Sequence, residues 1–224
     1  MKKRLLVGLA TALFLVSVAN EAVATATSIT NGVGALGYTI GTPEAVPFTL
    51  EGNGSDDNIL YVWDEVQNFT LTEDLFVNRV ADPSASYVGG GPGNYFITAG
   101  TVVASHYVQW DPSSFTRVQA TLNFDSAIFA FITNDVNLGN SDYLGLPGID
   151  YGNFGLRGLE SGDTTNFNGG SVDIDWLANS PGDWTRLITA VSPGAAPVPE
   201  PATLSLLGMG LAGLAYRSKK RITK

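Results

Sequence analysis

Between residues 27 and 196 no segment sustains the 3.6-residue apolar period of an amphipathic helix, and the cleanest pattern present has a period of two. From residue 116 to 124, Val118, Ala120, Leu122 and Phe124 alternate with Arg117, Gln119, Thr121 and Asn123. Side chains of a strand point to opposite faces in turn, so this segment offers one row to a core and one to water. A sheet with one apolar face must bury that face against a second layer. Less regular strand candidates are residues 48–50, 59–63, 69–71, 76–80, 95–98, 101–110, 127–133, 171–176 and 184–190. Turn-rich stretches at 51–58, 82–94 and 137–153 separate them, the second containing Gly89-Gly90-Gly91-Pro92-Gly93. Many short strands, glycine-rich turns and no alternating helices predict an antiparallel β-sandwich or jelly roll. No internal repeat is present, which argues against solenoids and propellers.

Both ends of the chain have a different character. Lys2, Lys3 and Arg4 precede an apolar run over residues 5–18, and Ala22-Val23-Ala24 or Ala24-Thr25-Ala26 gives the small-residue pattern that signal peptidase accepts. Residues 1–26 therefore read as a secretory signal peptide, with an uncleaved membrane anchor as the alternative. At the other end stand Val198, Pro199, Glu200 and Pro201, then an uncharged run over residues 202–216, then Arg217, Lys219, Lys220, Arg221 and Lys224. The prolines flanking Glu200 bias that segment toward the extended backbone that processing enzymes bind. A helix over 202–216 reaches ~22 Å, short of the ~30 Å hydrocarbon core, and the basic cluster holds its end in the cytoplasm.

This three-part tail resembles the PEP-CTERM sorting signal of bacteria. The resemblance implies recognition and processing by a membrane-embedded exosortase. Val198 to Pro201 would form the sorting motif, residues 202–216 the transmembrane sorting helix, and Arg217, Lys219, Lys220 and Arg221 the basic stop. Proteins with this signal are associated with exopolysaccharide-producing bacteria, so the resemblance also implies a structural or adhesive role in a biofilm matrix. The chain then divides into a signal peptide (1–26), a β-sandwich domain (27–191), a Pro-rich linker carrying the motif (192–201), and a membrane helix with its basic tail (202–224).

Charge narrows the partners of the central domain. Residues 27–196 hold nineteen acidic residues against four basic ones, Arg79, Arg117, Arg157 and Arg186, a net charge of −15. Such a surface repels nucleic acid and anionic lipid and favours divalent cations. The chain contains no cysteine, so an exported domain has neither disulfides nor thiol chemistry.

Catalytic raw material is scarce. The sole histidine, His106, falls on the strand face of Ala104, Val108 and Trp110 and reads as structural. There is no Gly-x-Ser-x-Gly elbow, and zinc sites built on His and Cys are excluded by count. Glu65, Glu73, Glu160 and Asp183 are conceivable acids or bases of a glycosidase pair, but the sequence gives no distance between them. Calcium suits these oxygens better. Asp173 and Asp175 alternate with apolar residues and share one strand face, either as ligands to one ion or as a solvated outer face. Asp135, Asn137 and Asp142 form an acidic stretch that lacks the EF-hand spacing. Tyr143, Tyr151 and Asn153, in a glycine-rich loop, would form a sugar-stacking patch.

The expectation is a non-enzymatic, exported surface or matrix protein with no required cofactor. Its partners would be signal peptidase, exosortase and the membrane before processing, with exopolysaccharide afterwards. The alternatives are a secreted carbohydrate-binding module and a polysaccharide hydrolase.

Overall fold

Alternation in the sequence is realised most directly in the strand over Thr116–Phe124, whose even-numbered apolar side chains are buried while Arg117 and Gln119 are exposed. The computed structural model describes residues 25–35, 37–41, 48–49, 58–151, 157–179 and 182–191. All of them lie in the unit Ala22–Ala195. In chain order the strands are β1 (Ala26–Val33), β2 (Gly37–Ile40), β3 (Phe48–Thr49), β4 (Ile59–Asp64), β5 (Phe69–Thr70), β6 (Leu75–Val77), β7 (Arg79–Val80) and β8 (Val88–Gly91). They continue as β9 (Asn94–Ile97), β10 (Val102–Trp110), β11 (Thr116–Phe124), β12 (Ile128–Ile132), β13 (Ile149–Asp150), β14 (Thr164–Asn168), β15 (Ser171–Ala178) and β16 (Asp183–Thr189). Helix α1 (Asp135–Asn140) and a 3-10 turn (Asp142–Leu144) separate β12 from β13.

Two sheets dominate. One runs β1-β11-β15-β14, antiparallel throughout. The other runs β2-β4-β10-β16-β12-β7, with β5 also pairing on β10. Its pairs are antiparallel except β2 with β4, and the small β3–β13 pair is parallel too. Strands β6, β9 and β8 form a third, antiparallel sheet.

Val118, Leu122, Ile174 and Trp176 of the first sheet share one buried cluster with Leu60, Val62, Val108, Trp110, Phe131 and Leu187 of the second. The inner faces of the two sheets thus make a common core, consistent with a β-sandwich. The second sheet is covered on its other face as well, where Trp63, Tyr107, Trp184 and Ile188 pack with Leu75, Val77, Ile97, Leu138 and Leu144. Strands β10 and β16 are consequently buried along almost their whole length. That double cover explains why their sequences do not alternate cleanly.

The helix α1 departs from the all-strand expectation. Asn134 caps it, its side-chain oxygen accepting from the Asn137 amide at 2.8 Å, and Leu138 anchors it in the core. Among the described residues no helix is long and apolar enough to cross a membrane. Residues 1–24 of the signal peptide, the linker, residues 202–216 and the basic stop lie outside the described residues.

Candidate functional site

The structure distributes the expected site residues unevenly. Asp173 and Asp175 share the outer face of β15, where each carboxylate meets donors across the sheet. Arg117 donates Nε and Nη2 to the two oxygens of Asp175 at 2.5 and 2.6 Å, and Gln119 adds a bond of 2.9 Å. The hydrogen bond from Arg117 holds the Asp175 carboxyl below the usual carboxylate range. Thr121 and Asn168 donate to separate oxygens of Asp173 at 2.7 and 3.3 Å. These contacts support the outer-face reading of the two aspartates.

Asp135, Asn137 and Asp142 lie on α1 and the turn after it rather than around one loop centre. Asp135 accepts from the Gly158 amide at 2.6 Å. Both oxygens of Asp142 face Arg157, at 2.7 and 2.8 Å, and one also faces Arg186 at 3.2 Å. At Asp142, guanidinium groups stand where a cation would bind.

Tyr151 corrects the sugar-patch expectation. It is only 6% exposed, and its hydroxyl accepts from Trp63 Nε1 at 3.4 Å and from the Leu146 amide at 3.0 Å. The ring is a core element edge-on to Tyr107, because the turn that carries it folds under the second sheet. Tyr143 remains 42% exposed and lies against Phe69. It borders a cleft of about 260 Å³ with Glu73, Asp74, Phe76, Asn137 and Asn140. Asn153 and the tail residues Val198, Pro199, Glu200, Pro201, Arg217, Lys219, Lys220 and Arg221 lie outside the described residues.

His106 is buried with both ring nitrogens hydrogen-bonded, Nδ1 to Asp64 at 2.7 Å and Nε2 to the Thr189 hydroxyl at 3.0 Å. The chain of carboxylate, imidazole and hydroxyl has the order of a nucleophilic triad. Thr189 is fully buried, however, so its hydroxyl is closed to a substrate carbonyl.

A different group converges at one end of the sandwich. Gly182, at φ +85°, donates its amide to the Asn179 carbonyl at 2.6 Å and closes the connection from β15 to β16. A side chain there would collide with the Trp110 carbonyl and with Asp111, so glycine alone lets β16 begin tight against the end of β10. Asp183 follows immediately, opposite Trp110 on the face turned toward the first sheet. Asp163 is fixed from the other side: its two oxygens accept from the Leu177 amide at 2.8 Å and the Glu160 amide at 3.0 Å.

One oxygen from each of Glu160, Asp163 and Asp183 lies within 4.8 Å of the others. Asp183 is 0% exposed, and neither of its oxygens accepts a hydrogen bond from an N–H or hydroxyl group. Burial, then proton sharing with Glu160 and the charges of Asp163 and Glu160, push its carboxyl well above the usual carboxylate range. Burial also raises Asp163. The three border a cavity of about 530 Å³, whose other walls include Phe115, Arg117, Asp175 and Leu177. Three hard oxygen donors aimed at one point, with Arg117 bonded to Asp175, are chemically suited to a divalent cation.

In the sequence, Glu160 and Asp183 stand only as conceivable acids or bases, and nothing marks Asp163. The available signal was Gly182 before Asp183, a glycine whose need becomes visible only once the two strands are paired.

Residues 197–221 match the PEP-CTERM protein-sorting motif. No family model matches the central domain, and neither a curated protein nor a solved structure matches the chain. The motif implies exosortase as a processing partner and export to the cell envelope or surface of a bacterium.

Proposed function

We propose that this protein is a non-enzymatic component of the bacterial surface or extracellular matrix: a β-sandwich released from its signal peptide, held briefly by its C-terminal helix, and freed by exosortase to act structurally or adhesively in exopolysaccharide. The sorting motif at 197–221 carries this reading. Support from the fold is chemical. His106 and Thr189 are buried in the core, and Glu65 is bound to Arg186, so these candidates for acid–base work serve internal structure. A net charge of −15 over residues 27–196 keeps such a domain soluble and hydrated in a polysaccharide gel.

Intact mass and cell fractionation in the native host, with and without replacement of Pro199, Glu200 and Pro201 by alanine, test the reading. Loss of the tail near Val198 in the wild type, with the variant full-length in the membrane, is expected. If both keep the tail in the membrane, the motif is a linker before an anchor and the matrix reading fails.

A second reading, glycan binding, draws on the cleft beside Tyr143. An exposed ring with Phe76 nearby and the amides of Asn137 and Asn140 is the combination that stacks on a sugar face and bonds its hydroxyls. Binding of exopolysaccharide oligomers lost in Tyr143→Ala, without release of reducing ends, would favour it over both the structural and the hydrolase readings.

A further inference from the structure

We propose that Glu160, Asp163 and Asp183 bind one divalent cation of calcium size, which ties the two sheets together at this end of the sandwich. The carboxylate trio by itself would be unremarkable on so acidic a protein. Asp183 makes the difference: a carboxylate at 0% exposure, with no N–H or hydroxyl donor to either oxygen, points at two other carboxylates. Burying such a group without a partner is strongly unfavourable while its charge stays uncompensated. A shared proton or a cation resolves that cost, and an open cavity of about 530 Å³ gives a hydrated ion access.

Carboxylates of unequal exposure around an open cavity suit calcium, which accepts flexible coordination. Calcium–oxygen bonds run about 2.3–2.6 Å, so ligand oxygens around one ion lie up to about 5 Å apart, whereas magnesium demands a tighter octahedron at about 2.0–2.1 Å. The three oxygens lie within 4.8 Å of one another, close enough to share one such ion. Waters would complete the shell on the cavity side.

Topology gives the ion a mechanical role. Asp183 opens β16 in the second sheet, while Asp163 is anchored through the Leu177 amide to β15 in the first. An ion between them cross-links the sheets in a chain without cysteine, as a disulfide would elsewhere. Extracellular modules bind calcium at roughly 0.1–1 mM, a range in which the site would fill after export and empty in the cytoplasm.

The test uses the exported protein purified from its host, stripped with chelator, and titrated with calcium chloride while heat of binding and Tm are followed. One saturable event and a Tm rise of several degrees are expected, reversed by chelator. Glu160→Gln, at an exposed position that folding tolerates, should weaken calcium about tenfold or more by removing one charged ligand. Asp183→Asn should abolish the calcium response while retaining the near-UV spectrum of the fold. Asp173→Asn, on the outer face, should bind as the wild type does. An unchanged Tm and no heat up to 10-fold above that roughly millimolar range would overturn the site. So would wild-type affinity in Glu160→Gln, and magnesium binding as tightly as calcium would overturn the assignment of the ion.

Discussion

Arg186 and Glu65, 121 residues apart in the chain, form a two-pronged ion pair with both side chains at 0% exposure, Nε to Oε2 at 2.7 Å and Nη2 to Oε1 at 3.0 Å. The Ser105 hydroxyl donates to Glu65 Oε2 at 2.6 Å, and Arg186 continues to Ser141 and Asp142. Its guanidinium lies over the rings of Tyr107 and Tyr151. Both side chains are fully buried, so removing one partner strands the other in the core. Arg186→Met is expected to lower the unfolding free energy by about 3–5 kcal/mol, and Glu65→Leu by a similar amount. Combining the two should cost clearly less than their sum, because neither charge is then left alone. Urea midpoints of the four proteins measure this, and simple additivity would show that the pair is not coupled.

Tyr107 ties the same network to pH. It is fully buried, and its hydroxyl accepts from Arg157 Nη2 at 2.9 Å. Burial pushes the phenol up from 10.0 to about 12, with the two arginines working in the opposite direction. The folded state therefore keeps its proton where the unfolded chain loses it. Stability from this group is complete below pH 10.0 and declines as pH rises through about 12. Tyr107→Phe should flatten part of that alkaline decline when Tm is measured across pH 9 to 12. A decline as steep as in the wild type would assign it to other groups.

How much of this was legible follows from which faces meet water. Strand β11 alternates because Arg117 and Gln119 face solvent while Val118 and Ala120 face the core. Strand β16 is covered on both sides, so Arg186 and Thr185 are buried in a run whose apolar residues mark only an approximate strand. Strand β14 is not legible because Asn166 and Asn168 disfavour strands and Phe167 is its one large apolar residue; its place is set by pairing with β15 rather than by its own composition. Residues 88–91 read as a turn because three glycines occupy the strand β8. The carboxylate site was legible only as isolated acids, since the approach of Glu160 to Asp183 depends on the β15–β16 connection and no local period encodes it.

Gly182 makes that dependence testable. Alanine there must accept φ +85° and also push its side chain into the Trp110 carbonyl, whereas Gly169, at φ +62° in the β14–β15 turn, has open space around it. Both changes strain the backbone by about 1 kcal/mol or more, but only Gly182→Ala also moves the start of β16. Gly182→Ala should therefore destabilise more than Gly169→Ala, by roughly 1–2 kcal/mol in urea unfolding. It should also blunt the calcium response of Asp183, which Gly169→Ala should leave intact. Equal costs would place the strain in the dihedral alone.

The first strand bears on where the signal peptide is cut. Ala26 is buried and pairs with Phe124 in β1, and its amide donates to Asp64 at 3.3 Å. The Thr25 amide donates to Asp125 at 3.0 Å. Cleavage after Ala26 would take the first residue from β1 and both of these bonds. Cleavage after Ala24, at the Ala22-Val23-Ala24 pattern, leaves the strand whole and turns the Thr25 nitrogen into an ammonium beside the Asp125 carboxylate. An exposed pair of this kind adds up to about 1 kcal/mol, a small gain in the direction of the earlier cut. The exported protein is therefore expected to begin at Thr25, which intact mass and N-terminal sequencing of secreted material would establish. A mature chain beginning at Thr27 would mean that signal peptidase choice is set before β1 pairs, independently of the fold it delivers.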